Sequence, residues 1–168
     1  MEQLPIPKVR FIPECHADTA LVRFLVSDFP HIDHESGICN VAKNFQEVKD
    51  QTYTLVGIVD DDKRKPPYLD DFQLLQASEG VAVKKKPNKE HYVIVVSPAL
   101  EKFLLQNCMA VGKRMEDFNL PSDLRQLKKR TKKPQVERNP DFKNLLIELH
   151  KQRAPGIIAL ETFLSDFL

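Results

Sequence analysis

The sequence predicts an α/β protein: a mostly parallel central sheet flanked by helices, with a helical C-terminal tail. Three observations lead there. Two near-continuous apolar runs, Tyr53–Val59 and His91–Val96, are rich in β-branched residues, as strands buried on both faces of a sheet are. These runs and a shorter one, Val9–Ile12, alternate with segments of helical periodicity through about residue 112, the order of βαβ units. Beyond Asn139 only helical periodicity remains.

Each element follows in turn. Val9-Arg10-Phe11-Ile12 is short and β-prone, and Pro13 stops it. Asp18 reads as an N-cap with Leu21, Phe24 and Leu25 behind it at helical spacing, which predicts a helix over 18–27. Residues 29–40, with a Pro, two His, Ser and Gly, read as a loop with one short strand near Ile38. Val41, Phe45 and Val48 share one side of a second helix over 41–50. The central strand 53–59 ends abruptly at Asp60-Asp61-Asp62, and 63–71 reads as loop. Val81-Ala82-Val83 is a short strand, 84–89 a turn, and 91–96 the last strand. Ser97 is placed to cap and Pro98 to open a helix carrying Leu100, Phe103, Leu104 and Cys108. Asn139-Pro140 starts a helix with Phe142, Leu145, Leu146 and Leu149 inward. Pro155 starts another, with Ile158, Phe163 and Phe167 among its apolar positions.

At 168 residues with 42% hydrophobic and 29% charged side chains, the chain can build a packed core. Its net charge of +1 excludes a globally basic nucleic-acid coat and an acidic tail protein. The sum hides a split. Residues 1–112 carry 13 basic and 16 acidic side chains, 113–139 carry 9 and 4, and 140–168 carry 3 and 4. The expected organisation is an α/β domain over 1–112, a basic connecting segment over 113–139 and C-terminal helices over 140–168 packed on the domain. Arg125, Lys128, Lys129, Arg130, Lys132 and Lys133 dominate the basic segment. It reads either as a solvated connector or as an arm that holds phosphates, because clustered Lys and Arg attract polyanions whatever their sequence. Cys15, Cys39 and Cys108 form neither a disulfide framework nor a Cys-x-x-Cys knuckle. No apolar run approaches the roughly 18 residues of a membrane span, and Met1–Pro7 has no signal core. The expectation is a cytoplasmic protein in a reducing compartment with no membrane partner.

In open α/β sheets, ligands bind beyond the carboxyl ends of the strands. Acidic residues stand at those ends: Glu14 after the first strand, Asp60 and Asp62 after the central one, and Glu101 on the first turn of the helix after the last. Like charges ~4 Å apart repel by about 4 kcal/mol at an effective dielectric near 20. Such a cluster therefore stays wet, takes up protons or holds a cation. All-oxygen donors select Mg²⁺ or Mn²⁺, whose chemistry is phosphoryl activation. The plainer reading of Asp-Asp-Asp-Lys-Arg-Lys is a solvated loop with local ion pairs.

An early strand ending in Glu, a helix, and a hydrophobic strand ending in Asp-x-Asp resembles the Toprim domain of topoisomerases, DnaG-type primases, OLD-family nucleases and small stand-alone RloB-like proteins. The matching residues are Glu14 within Phe-Ile-Pro-Glu-Cys-His-Ala-Asp and Asp60-x-Asp62 within Val-Gly-Ile-Val-Asp-Asp-Asp-Lys. The Glu14-x-x-x-Asp18 spacing followed by Leu-Val-x-x-Leu is similar to the opening of the OLD-type and stand-alone members. Val-Val-Ser-Pro-Ala-Leu-Glu-Lys-Phe-Leu-Leu is similar to their later strand and Glu-bearing helix. The resemblance covers about residues 8–112. It implies that Glu14 is a general acid/base or metal ligand, that Asp60 and Asp62 bind Mg²⁺ or Mn²⁺, and that Glu101 completes the site, with Asp18 a helix cap. Two departures stand out: Cys15 replaces the Gly that usually follows the first Glu, and Asp61 leaves the Asp-x-Asp register open. The implied function is Mg²⁺-dependent cleavage of DNA or RNA in a defence or DNA-processing system, since the chain has no room for a topoisomerase gate or primase domains. The alternative is a catalytically inactive binding subunit that partners a nucleic acid or another protein such as an ATPase.

Other constellations carry less. His31, His34 and Cys39 lack a standard zinc spacing and a fourth ligand, and His34 reads as a polar loop residue. Cys15 and His16 are adjacent on an extended segment, where side chains point apart. No phosphate-cradling Gly-rich loop occurs. Lys63-Arg64 replaces the continuation that haloacid-dehalogenase phosphatases require.

Overall fold

A computed structural model describes residues 8–27, 31–61 and 64–168. The stretch Met1–Pro7 and the residues Asp28, Phe29, Pro30, Asp62 and Lys63 lie outside the described residues.

The apolar runs form the strands β1 (Lys8–Pro13), β2 (Tyr53–Asp60) and β5 (His91–Val96), joined by β3 (Gln73–Ser78) and β4 (Val81–Lys85). Among the described residues, six helices accompany them: α1 (His16–Leu25), α2 (Ile38–Glu47), α3 (Leu100–Ala110), α4 (Leu124–Thr131), α5 (Pro140–Lys151) and α6 (Pro155–Ser165). The sheet order is β1-β2-β5-β4-β3. β1 pairs β2 and β2 pairs β5 in parallel, whereas β5–β4 and β4–β3 are antiparallel. The sheet is thus mixed rather than mostly parallel. A parallel return needs a crossover of a dozen residues or more, and none separates β3, β4 and β5. They follow one another as a meander, and Glu79 and Gly80, both at positive φ, turn β3 into β4. β3 has no sequence signature because every one of its residues is exposed, so no apolar alternation marks it.

Alternation along the strands sorts the core into two layers. Val9, Phe11, Val56, Ile58, Ile94 and Val96 face α1, α3, α5 and α6. Ile12, Leu55, Val59, Val93 and Val95 face α2 through Val41, Ala42 and Phe45. Helices therefore cover both faces, as expected, and the C-terminal helices share a core with the sheet. The outer edge of β1 is covered by residues 31–35, whose Ile32 bridges Phe11 in parallel while Asp33 N–H and Glu35 N–H donate to Phe11 and Pro13 carbonyls, both at 2.9 Å. That covering removes an exposed strand edge. It also relocates the short strand expected near Ile38, which is instead the first residue of α2.

Residues 113–139 are largely built into α4 and the 3-10 turns Met115–Phe118 and Pro134–Arg138, pinned by buried Met115, Leu127, Thr131 and Val136. No helix among the described residues is long and apolar enough to cross a membrane.

The tightest helix seam lies at Gly156. Buried Asn107 of α3 accepts from Gly156 N–H at 2.8 Å and donates to Phe103 O. A Cβ on Gly156 would sit 2.5 Å from Phe103 and 2.6 Å from Asn107. Helix propensity alone favours Ala over Gly by about 1 kcal/mol, and overpacking opposes it by about 1–3 kcal/mol. Gly156→Ala is therefore expected to lose up to about 2 kcal/mol net, read as a lower urea midpoint at unchanged slope. A stabilised variant would show that α3 and α6 do not meet this closely.

Candidate metal centre

The carboxyl ends of β1 and β2 lie side by side, and their acids meet there. Glu14 directly follows β1, with its N–H on Ile58 O at 3.1 Å and its carbonyl accepting from Gly37 N–H at 2.9 Å. Its side chain turns across the sheet, and Oε1 accepts from Asp60 N–H at 2.8 Å. Asp60 ends β2 on the α1/α3 side, in phase with Val56 and Ile58. Its Oδ1 accepts from Leu100 N–H at 3.0 Å, at the first turn of α3. This corrects the capping expectation. Ser97 donates to Asp61 Oδ2 at 2.9 Å instead, the helix cap position is Ala99, and Asp60 supplies the acceptor that Ala99 cannot. A helix N-terminus favours a negative charge there.

Asp18 completes the group. It is not the N-cap of α1, because the helix begins two residues earlier and Cys15 takes that position. Asp18 then sits one turn in, facing the sheet. Donor atoms of Glu14, Asp18 and Asp60 all lie within 4.8 Å of one another. Relative exposures of 2%, 1% and 6% leave little water to screen them. Burial, then the charge of Asp60, push the Asp18 carboxyl well above the usual range. Its Oδ2 accepts from the Cys15 thiol at 2.9 Å, while Oδ1 is buried without a hydrogen-bond partner among the described residues. Burial, then the Asp18 charge, push the Cys15 thiol up.

Glu101 is buried on α3 but stands outside that group of three. Its Oε1 accepts from Thr131 Oγ1 at 2.6 Å, so it ties α4 to α3. Its charge still raises Asp18. Asp62 lies outside the described residues. Asp61 is exposed and within 3.5 Å of Lys65. The basic side chains ride on α4 and just beyond it. Arg125, Lys129, Arg130, Lys132 and Lys133 are exposed and Lys128 is half-buried. Arg125, Lys128, Lys129 and Lys132 fall at i, i+3, i+4 and i+7, the spacing of one helical face, and Arg130 donates to Asn119 O. Among the described residues, His34 joins no group of possible metal donors. It lies against Thr19 Oγ1 at 3.1 Å and stacks on His16, whose Nδ1 is 2.7 Å from Glu137. Burial, then His16, push His34 down.

The residue that sequence reasoning misplaced is Asp18. Its signal was the i, i+4 spacing from Glu14, which becomes a shared rim only if the helix starts before it. The donors fit a divalent cation: three carboxylates in one buried place, with Asp18 Oδ1 lacking a hydrogen bond among the described residues. No protein family, curated protein or solved structure matches this chain.

Proposed function

We propose that the chain is a Mg²⁺- or Mn²⁺-dependent phosphodiesterase of the Toprim type, acting on DNA or RNA. The observation that carries this reading is the convergence of buried Glu14, Asp18 and Asp60 at the carboxyl ends of adjacent parallel strands. Three oxygen donors suit a hard cation that keeps water and substrate phosphate in its remaining positions. Such an ion, when bound, polarises the phosphoryl oxygen. The chain's own residues hold and orient. Asp60 is fixed by the α3 N-terminus and Glu14 by the Asp60 amide, while Glu101 and Thr131 anchor the helix that carries the basic stripe. A nuclease part of a defence or DNA-processing system, working with or without an ATPase subunit, suits this arrangement.

The test is incubation of the purified chain with labelled single- and double-stranded DNA and RNA, with Mg²⁺, Mn²⁺ or chelator. Cleavage restored by metal after chelation is expected, and cleavage indifferent to chelator contradicts the reading. A second reading, an inactive binding subunit, draws on the Cys15 thiol that already occupies one oxygen of Asp18. It predicts nucleic-acid or protein binding without cleavage in any metal.

The basic stripe makes its own prediction. Arg125→Ala with Lys129→Ala should weaken nucleic-acid binding alike for all sequences, and reduce the slope of log affinity against log salt by about 2. An unchanged slope places the phosphates elsewhere.

A further inference from the structure

β1, β2 and β5 run parallel, so their first residues gather on the rim opposite Glu14 and Asp60. Alternation turns Tyr53 and His91 to the α2 side of the sheet, in phase with Leu55 and Val93. β2, 8 residues long, spans about 26 Å. α2, 10 residues long, spans about 15 Å and starts at the acidic rim, where Gly37 N–H meets Glu14 O. The helix is therefore too short to cover the whole strand face. It reaches the far rim with Phe45, whose ring stacks on His91 at 5.3 Å. Beyond it, residues 48–51 and 88–90 wall a cavity of about 460 Å³ over Tyr53 and His91. That is the size of a small-molecule site.

The lining has a definite chemistry. Phe45, Tyr53 and His91 supply three rings. Burial, then Lys89, push His91 down to about 4, so the imidazole is neutral near pH 7. Tyr68 Oη lies 2.7 Å from His91 Nδ1, and burial pushes the phenol up, so it keeps its proton and donates. His91 Nε2 then carries the ring hydrogen, and it has no hydrogen-bond partner among the described residues. Tyr68 lies outside the cavity wall, so Nε2–H is the donor that His91 presents to the cavity. The charges are sorted as well. Asp50 accepts from Thr52 N–H and Oγ1 at 3.0 and 2.6 Å, and Glu90 is held by Lys85 and the Tyr92 hydroxyl. The ammonium groups of Lys49 and Lys89 have no partner among the described residues. Gln51 and Asn88 add carboxamides, groups that pair with the edges of nucleobases.

We propose that this cavity binds one nucleotide unit. The base lies against the rings, its edge meets Gln51, Asn88 and His91 Nε2–H, and its phosphate meets Lys49 and Lys89. Rings combined with cations are how proteins hold unstacked nucleotides. A free mononucleotide and one unit of a single strand present this same chemistry. The proposal does not depend on a cation at the acidic rim.

The full chain is titrated by calorimetry with AMP, CMP and adenosine, and with ribose 5-phosphate as the base-free control. Chelator is present, so that the acidic rim holds no ion. A 5′-phosphorylated oligothymidylate is titrated alongside. The variant is Lys49→Ala with Lys89→Ala, two exposed side chains that the fold does not need. The expected result is saturable binding of one nucleotide per chain, weaker by about tenfold or more in the variant. Adenosine, which has no phosphate, should bind both proteins alike. Binding of mononucleotides identifies a free ligand, and binding of the oligonucleotide alone, with the same loss in the variant, identifies a strand. Ribose 5-phosphate bound as tightly as AMP, equal affinity of nucleotide or oligonucleotide in both proteins, or no binding of either kind overturns the proposal.

Discussion

Under the proposed function, Asp60→Asn is expected to lower metal-dependent cleavage by about 10²–10⁴-fold while the protein stays folded. The substitution is chosen for what it preserves. Asp60 Oδ1 accepts from Leu100 N–H at the start of α3, and an amide oxygen accepts the same bond. Asp60→Ala would remove that cap as well, a loss of about 1 kcal/mol, and would confuse stability with chemistry. The amide differs in charge and in one donor oxygen. If a cation bridges Asp60 to Glu14 and Asp18, losing one ligand removes several kcal/mol of phosphoryl activation, and each 1.36 kcal/mol is about tenfold in rate. The measurement is the initial cleavage rate in Mg²⁺ and Mn²⁺, with circular dichroism and thermal midpoint as folding controls. Full activity in a folded Asp60→Asn protein would remove this carboxylate from the chemistry.

Asp18→Asn has the second large effect, with opposite signs in the presence and absence of metal. In the metal-free protein burial and Asp60 raise the Asp18 carboxyl well above its unfolded value near 3.9. The folded state thus binds a proton that the unfolded state releases. Stability from this group is complete below about pH 4 and is lost as pH rises toward the folded value. Asn has no proton to take up. The variant should match the wild type below about pH 4 and exceed it at neutral pH, read as a higher thermal midpoint. Added Mn²⁺ should then raise the wild-type midpoint, as a ligand that binds only the folded state must, and leave the variant nearly unmoved. Thermal unfolding from pH 4 to 8, with chelator and with Mn²⁺, checks both halves. A variant less stable than wild type at every pH would show that Asp18 is held by favourable contacts rather than strained by its neighbours.

Much of this architecture is legible along the chain because burial leaves a pattern. β2 and β5 announce themselves through Leu55–Val59 and Val93–Val96, which touch core on both faces. The helical faces of α3 and α5 are visible in Leu100, Phe103 and Leu104 and in Phe142, Leu145 and Leu149. β3 is not legible, since Gln73–Ser78 is an edge strand with exposed Leu74 and Leu75 and no buried face. The mixed sheet follows from that omission: without β3, the antiparallel meander looks like one more βα alternation. In the candidate centre, Glu14 and Asp60 are legible as acids at strand ends. Asp18 was hidden by a helix boundary. An acid near a helix start looks like a cap, and only tertiary placement shows that Cys15 caps while Asp18 turns to the sheet. Glu101 is legible as an acid on the first turn after the last strand, but its burial and its tie to Thr131 depend on how α4 folds back.

Diffraction from crystals soaked in Mn²⁺, recorded at the manganese absorption edge, tests the central claim most directly. A single anomalous peak within bonding distance of Glu14, Asp18 and Asp60 is the expected result. A fully ordered set of these three carboxylates with no peak between them at saturating Mn²⁺, or a peak held elsewhere on the chain, would contradict it.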